Sequence, residues 1–196
     1  MNPKEYLIVI DMQKDFIDGS LANEDAKAII GAVIVEIREW KGYVFYTMDT
    51  HGADFKQTLE GVLPEHCIKG TEGWKFEESI QQALDDAYAT RIEKPTFGYL
   101  GWAKYFLGDD AFNADGSLKS QEELAKLGKE RIKRIRLVGT CTDICVISNA
   151  MILRAMFKDT PIEIVEYACA ATPGAQDAAI LVMERCGFTI IRKAAA

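Results

Sequence analysis

The stretch YLIVID, Tyr6 to Asp11, decides how this chain is to be read: an unbroken apolar run that ends in a carboxylate. A strand covered on one side alternates apolar and polar residues, whereas an unbroken run marks a strand buried on both faces, as in a parallel sheet. Five more stretches are β-rich in the same way: YVFYTM (43–48), ATRIE (89–93), IRLV (135–138), IEIV (162–165) and FTII (188–191). Helical patterns separate them. Asn23 is placed to cap a helix with Glu24 and Asp25 in its first turn, and Ala26, Ile29, Ile30, Val33, Ile34, Ile37 and Trp40 follow at helical spacing. A second helix is expected from about Thr142, its N-cap, to Lys158, and a third from near Gly174 to a stop before Gly187. Strands alternating with helices imply an α/β fold: a doubly wound three-layer sandwich around a six-stranded, mainly parallel sheet. The least regular part is 99–134, with a helical beginning (WAKYFL), a polar loop and a second helix (QEELAKLGKE).

The length of 196 residues suits one domain, 1–196, with a substantial core. The apolar runs are far shorter than the roughly 18 to 20 residues of a membrane span. The N-terminal segment meets Asp11 early and has no small-residue cleavage site, so no signal peptide is expected. A net charge of −7 argues against nucleic acid and anionic membrane as partners, and the one basic cluster, KERIKRIR (129–136), reads as a helix end running into a strand. Five cysteines, an odd number, suggest a reducing compartment, so a cytoplasmic location is expected.

In sheets of this kind ligands bind beyond the carboxyl ends of the strands. Past the first strand stands Asp11; past the second, Asp49 and His51; past the third, Lys94; past the fourth, Gly139 to Cys145. Cys145 falls on the first turn of a helix, where unpaired amides and the helix dipole should lower its pKa. Position alone leaves open whether it is a nucleophile or a small buried residue. The C-x-x-x-C spacing of Cys141 and Cys145 is not the redox C-x-x-C. A nucleophilic cysteine needs a base. Both histidines of the chain belong to another grouping, which leaves Asp11 as the base and Lys94 as the cation that steadies it.

That other grouping is DTHGADFKQTLEGVLPEHC, Asp49 to Cys67. Asp49 and His51, two apart, share one side of an extended segment; His66 returns later, and Glu60 or Glu65 could add a carboxylate. A D-x-H is often structural, but imidazoles and carboxylates together suit Zn²⁺, Mn²⁺ or Fe²⁺.

Three blocks, VIDMQKDF (9–16), EKPTF (93–97) and GTCTDICV (139–146), resemble the isochorismatase-like cysteine hydrolases, and the nicotinamidases among them; the tail EYACAATPGAQDAAILVMERCGF (166–188) resembles the family's closing helix. The resemblance implies a catalytic triad of Asp11, Lys94 and Cys145, an oxyanion hole from the backbone amides of Cys141 and Cys145, and a cis peptide joining Thr140 to Cys141. It implies a divalent metal, Zn²⁺ first, on Asp49, His51, Glu60 and His66, with Glu60 chosen over Glu65 on spacing. Phe16, Leu63 and Phe97 are the expected substrate contacts. Two departures stand out: GADFKQT follows D-x-H without the further histidine many nicotinamidases have, and Leu63 stands where an aromatic ring commonly stacks.

The implied reaction is hydrolysis of nicotinamide to nicotinate and ammonia through a cysteine thioester, in NAD salvage, by a homo-oligomer that needs a small carboxamide and neither nucleic acid nor membrane. Alternatives are a family amidohydrolase for another small amide or ureido compound, an isochorismatase, and a non-catalytic metal-binding protein. Trp74 and Trp102 are expected in the core or at a pocket rim, and Cys67, Cys169 and Cys186 in structural roles.

Overall fold

The computed structural model describes residues 2–193. In chain order the elements are β1 (Lys4–Ile10), α1 (Lys14–Ile17), α2 (Glu24–Ala28), α3 (Ile30–Glu39), β2 (Tyr43–Asp49), α4 (Glu78–Asp86), β3 (Thr90–Lys94), α5 (Trp102–Leu107), α6 (Gln121–Arg131), β4 (Ile132–Thr140), α7 (Ile147–Met156), β5 (Ile162–Ala170), α8 (Gln176–Arg185) and β6 (Thr189–Ile191). Among the described residues the strands form one sheet in the order β3-β2-β1-β4-β5-β6, and every pairing is parallel. The six expected strands are all present. The order reverses direction between β1 and β4, which makes that junction the topological switch point.

The unbroken apolar run of β1 has the physical meaning it implied. Tyr6, Ile8 and Ile10 face a core built with α5, α6, α7 and α8, while Leu7 and Val9 face a second core built with α2, α3 and α4. Both sides of the strand are covered, so both sets of side chains are apolar.

Local differences from the expected elements have local causes. The helix capped by Asn23, whose side chain accepts the Asp25 N–H at 3.0 Å, is broken at Ile29 into α2 and α3. The apolar residues on both sides of the break still enter one core, so their spacing reads as continuous. Thr142 is not an N-cap. The chain enters a π-helical turn, Thr142–Val146, from Cys141, and the Thr142 hydroxyl is buried without a hydrogen-bond partner. α4 is held by Ile80, Ala83 and Leu84 and capped by the Glu77 carboxylate, which accepts the Ile80 N–H at 2.9 Å. It and the single-turn α1 were not expected from the pattern, because three apolar residues among many polar ones give a thin stripe. In 99–134, α5 leads through a 3-10 turn, Gly108–Ala111, and a Phe112–Leu118 bridge to α6, which opens on a Ser120/Glu123 capping box. Gly187, at φ +81°, ends α8 as expected. The basic cluster is paired with carboxylates: Lys133 and Arg134 with Glu5, and Arg136 with Glu163 and Glu36.

Gly139 carries β4 into the switch point at φ +117°, and a Cβ there would lie 2.1 Å from the Ile10 carbonyl oxygen. Gly31, in α3, has open space around it. Gly139→Ala is therefore expected to destabilise the fold by about 2 kcal/mol or more, and Gly31→Ala to stabilise it by about 0.5–1 kcal/mol. Urea unfolding of the two variants checks the opposite signs.

Candidate active site

Four strand ends meet at the switch point. β1 delivers Asp11, β2 Asp49, β3 Lys94, and β4 the loop and turn that carry Cys141 and Cys145. Asp11 sits at φ +46°, a left-handed conformation that aspartate tolerates better than most residues, and its amide donates to the Thr47 carbonyl at 3.2 Å. Lys94 and Asp11 are wholly buried, and Asp49 and Cys145 nearly so.

The Lys94 ammonium organises these groups. Its Nζ lies 2.6 Å from Asp11 Oδ2, 3.2 Å from Asp49 Oδ1 and 3.7 Å from Cys145 Sγ. An ammonium has three N–H donors, and three acceptors surround it. Burial pushes its pKa down, but the charges of Asp11, Cys145 and Asp49 outweigh that and hold it above the ordinary lysine value. Asp11 Oδ1 accepts the Thr47 hydroxyl at 2.7 Å, while Oδ2 has no hydrogen-bond partner beyond its ion pair with Lys94. Burial raises the Asp11 pKa, which Lys94 only partly offsets, so this carboxylate is a stronger base than a solvated one.

The Cys145 thiol departs from expectation. Burial pushes its pKa well above the ordinary value, Lys94 opposes the rise, and the Asp11 and Asp49 carboxylates add to it. Burial first, and the two carboxylates after it, thus hold this thiol above its ordinary pKa, opposite to the direction expected of a residue on a helix's first turn. Cys141 is also raised by burial, to about 11. The Ile144 and Val146 amides donate to the Cys141 carbonyl, at 3.1 and 3.0 Å, and close the loop that carries the Cys141 and Cys145 amides. The Thr140–Cys141 peptide is cis.

Beside the lysine, Asp49 turns its other oxygen to the histidines: Oδ2 lies 2.9 Å from His51 Nε2 and 3.4 Å from His66 Nε2. Burial pushes the Asp49 pKa up, but the bonds to His51 and His66 and the charge of Lys94 more than reverse this and hold it far below the ordinary range. Glu60 Oε2 stands 3.7 Å from His51 Nε2, buried and without a hydrogen-bond partner, while its Oε1 accepts the Thr96 hydroxyl at 2.9 Å. Glu65 is exposed.

The donor set fits a divalent cation. His66 Nδ1–H donates to the Pro64 carbonyl at 2.9 Å, which leaves the Nε2 lone pair of the neutral ring facing the Asp49 carboxylate. Two lone-pair atoms at that distance need a proton or a cation between them, and the orphaned Glu60 oxygen adds a third such atom. Two buried carboxylates and Glu60 also outnumber the single ammonium, so a bound cation would balance the charge. Nitrogen and oxygen ligands of this kind, with an outer carbonyl orienting the imidazole, are usual for Zn²⁺, Mn²⁺ or Fe²⁺.

A cavity of about 530 Å³ opens onto Cys145, Cys141, Asp49 and His66, and Phe16, Leu63 and Phe97 all line it. Trp74 and Trp102 do not: Trp102 is in the core, and the half-buried Trp74 donates its Nε1–H to the Thr50 hydroxyl at 2.9 Å. Cys67 and Cys169 are buried in the interior, whereas Cys186 is exposed at the end of α8.

Three supporting residues escaped the sequence reading. Gln13 is wholly buried and clamps the Asp49 backbone, donating to its carbonyl at 2.9 Å and accepting its N–H at 2.7 Å. Thr47 holds Asp11, and Thr96 holds Glu60. Each had a faint signal: a polar side chain inside or directly beside an apolar strand, close to a charged strand end.

An isochorismatase domain family matches residues 5–195. The chain is 31% identical over 157 residues to an uncharacterized isochorismatase family protein, PncA, of Bacillus subtilis strain 168, covering 76% of this chain and 77% of that one. The crystal structure of the nicotinamidase/pyrazinamidase PncA from Bacillus subtilis superposes with a TM-score of 0.73 at 26% identity, over 96% of this chain and 99% of that one. That of the pyrazinamidase of Pyrococcus horikoshii in complex with zinc does so with a TM-score of 0.69 at 25% identity, over 97% and 100%. A match running nearly end to end, on a fold whose switch point gathers these same strand ends, makes this chain a member of the isochorismatase family.

Proposed function

We propose that the protein is a nicotinamidase-like amidohydrolase that converts nicotinamide to nicotinate and ammonia. The observation that carries this reading is the buried ammonium of Lys94, which touches a candidate base, Asp11, a candidate nucleophile, Cys145, and a candidate metal-ligand carboxylate, Asp49, the last two of which line one cavity. The likeness to relatives named nicotinamidase or pyrazinamidase supports the choice of amide. NAD salvage, a cytoplasmic location and action as one domain over 1–196 belong to the same proposal.

Asp11 Oδ2, the oxygen without another donor, takes the proton of the Cys145 thiol, and the Lys94 ammonium stabilises the sulfur as it becomes a thiolate. The sulfur adds to the carboxamide carbonyl, and the amides of Cys141 and Cys145 receive the oxyanion, a contribution of about 3 kcal/mol for one such donor. Collapse breaks the C–N bond, and Asp11 returns the proton so that ammonia leaves. Asp11 then takes a proton from water as the oxygen adds to the thioester, collapse breaks the C–S bond, and Asp11 passes that proton to the departing sulfur, releasing the carboxylic acid and restoring the Cys145 thiol. Lys94 remains charged throughout. Phe16, Leu63 and Phe97 offer apolar surface for the ring, Leu63 being smaller than an aromatic side chain. A divalent cation on Asp49, His51, His66 and Glu60, Zn²⁺ by preference, would supply a Lewis-acid contact for a pyridine nitrogen and draw electron density from the carboxamide.

Metal-loaded protein is expected to release ammonia from nicotinamide, and Cys145→Ala to lower that rate by about 10³-fold or more; a coupled ammonia assay compares the two. Release unchanged in the variant would rule out the cysteine mechanism. Benzamide, which lacks the ring nitrogen, is expected to be a poorer substrate by about 10²-fold in kcat/KM, and equal rates on the two amides would remove the anchoring role from the metal site. Chelation is expected to abolish nicotinamide hydrolysis, with recovery on adding back Zn²⁺, Mn²⁺ or Fe²⁺; activity that survives full chelation would favour isochorismatase-type chemistry instead.

A further inference from the structure

Asn149 lies on α7, one turn beyond Cys145, and is wholly buried. A side-chain amide has two N–H donors and an oxygen with two lone pairs, and here all four are used. Nδ2 donates to the Cys145 carbonyl at 2.8 Å and to the Phe97 carbonyl at 3.0 Å. Oδ1 accepts the Tyr99 N–H at 3.0 Å and the Trp102 Nε1–H at 3.0 Å. One partner is the backbone of Cys145, and the other three belong to the segment that leaves β3 directly after Lys94.

The sheet does not place these two pieces against each other. β3 and β4 are separated by β2 and β1, so their relative position is transmitted through three strand pairings. Asn149 spans the gap in one step. Beside it the Gly98 backbone runs close to α7: a Cβ added there would lie 2.5 Å from Ile152 Cδ1. Phe97, whose carbonyl takes one of the amide hydrogens, also lines the cavity.

We infer that Asn149 is a positioning residue, which sets the distance between the Cys145 sulfur and the Lys94–Phe97 segment and so holds the nucleophile, its cation and one wall of the substrate cavity in register. It touches no reacting atom. The inference rests on the reading of Cys145 as nucleophile, and not on the identity of the amide.

The test compares Asn149→Ala with Trp102→Phe in the full chain. The alanine leaves room for water, which can satisfy the four groups without holding them at a fixed separation. Trp102→Phe removes one bond to the same amide and some core volume but spares the bonds to Cys145 and Phe97. Three quantities are read: melting temperature, kcat and KM on nicotinamide, and the rate at which iodoacetamide modifies Cys145, followed by peptide mass spectrometry. Asn149→Ala is expected to lower kcat by about 100-fold, as displacements near 1 Å do, to raise KM and to slow Cys145 alkylation by about tenfold. Trp102→Phe is expected to lose melting temperature comparably while kcat and alkylation stay within about twofold of wild type. A folded Asn149→Ala with unchanged kcat and alkylation overturns the inference. So does a Trp102→Phe whose kcat falls as far for the same loss of melting temperature, since the role would then be structural alone.

If Asn149→Ala does not fold, Asn149→Ser takes its place. Its hydroxyl can reach back to the Cys145 carbonyl but not to Phe97. Alkylation is then expected within about threefold of wild type with KM raised, and an unchanged KM overturns the inference. A wild type that alkylates at Cys145 but releases no ammonia from nicotinamide would fault the choice of substrate, and the alkylation comparison would still decide the role of Asn149.

Discussion

A fully buried lysine is the constraint on which the rest of the site depends. Removing an ammonium from water costs several kcal/mol unless charges and hydrogen bonds replace its hydration. Lys94 meets that condition with Asp11, Asp49 and Cys145, one acceptor for each N–H. The dependence runs both ways: two carboxylates and a thiol could not sit so close in this interior without the cation. Residues from four strands are therefore locked into one electrostatic unit, and the switch point of the sheet is the place where four strand ends can reach it.

Asp49 makes that unit larger than a triad. One of its oxygens faces the lysine and the other faces two imidazoles, so a single carboxylate lies between the candidate hydrolytic groups and the candidate metal-ligand groups. Gln13 fixes its backbone from both sides, which removes the freedom to choose one partner over the other. Asn149 provides a similar brace on the far side of the site, between the turn that carries Cys145 and the segment after β3. The candidate groups are few, and buried polar neighbours hold them: Thr47 bonds Asp11, Gln13 bonds the Asp49 backbone, and Asn149 bonds the Cys145 carbonyl.

Much of this was legible in the chain, for physical reasons. Apolar runs such as YLIVI announce strands because a strand covered on both faces has nowhere to put a polar residue, and charged groups at their ends stand out against that background. The break at Ile29 was not legible, because the buried stripe continues across it. Nor was α4, whose apolar stripe is too thin to separate from a polar loop. The thiol's pKa was read in the opposite direction because proximity to a helix start is visible in sequence, whereas burial of the sulfur, with Asp11 and Asp49 nearby, is visible only in three dimensions. Asn149 could not have been singled out, since three of its four partners lie about 50 positions away and the fourth, Cys145, sits in the turn before its helix, and nothing in its neighbours' identity points to them.

The placement of Lys94 on β3 has a consequence for how the molecule breathes. β3 has five residues, pairs only with β2 and forms an edge of the described sheet, a position from which strands commonly fray. Fraying here would withdraw the ammonium and leave the wholly buried Asp11 carboxylate beside Asp49 without its cation. Local opening of this edge thus carries an electrostatic penalty that an ordinary edge strand lacks. Amide hydrogens along β3 should exchange with solvent at rates closer to those of the central strands than its position in the sheet implies, and the charge cluster at the end of the strand acts as the clasp that keeps the edge shut.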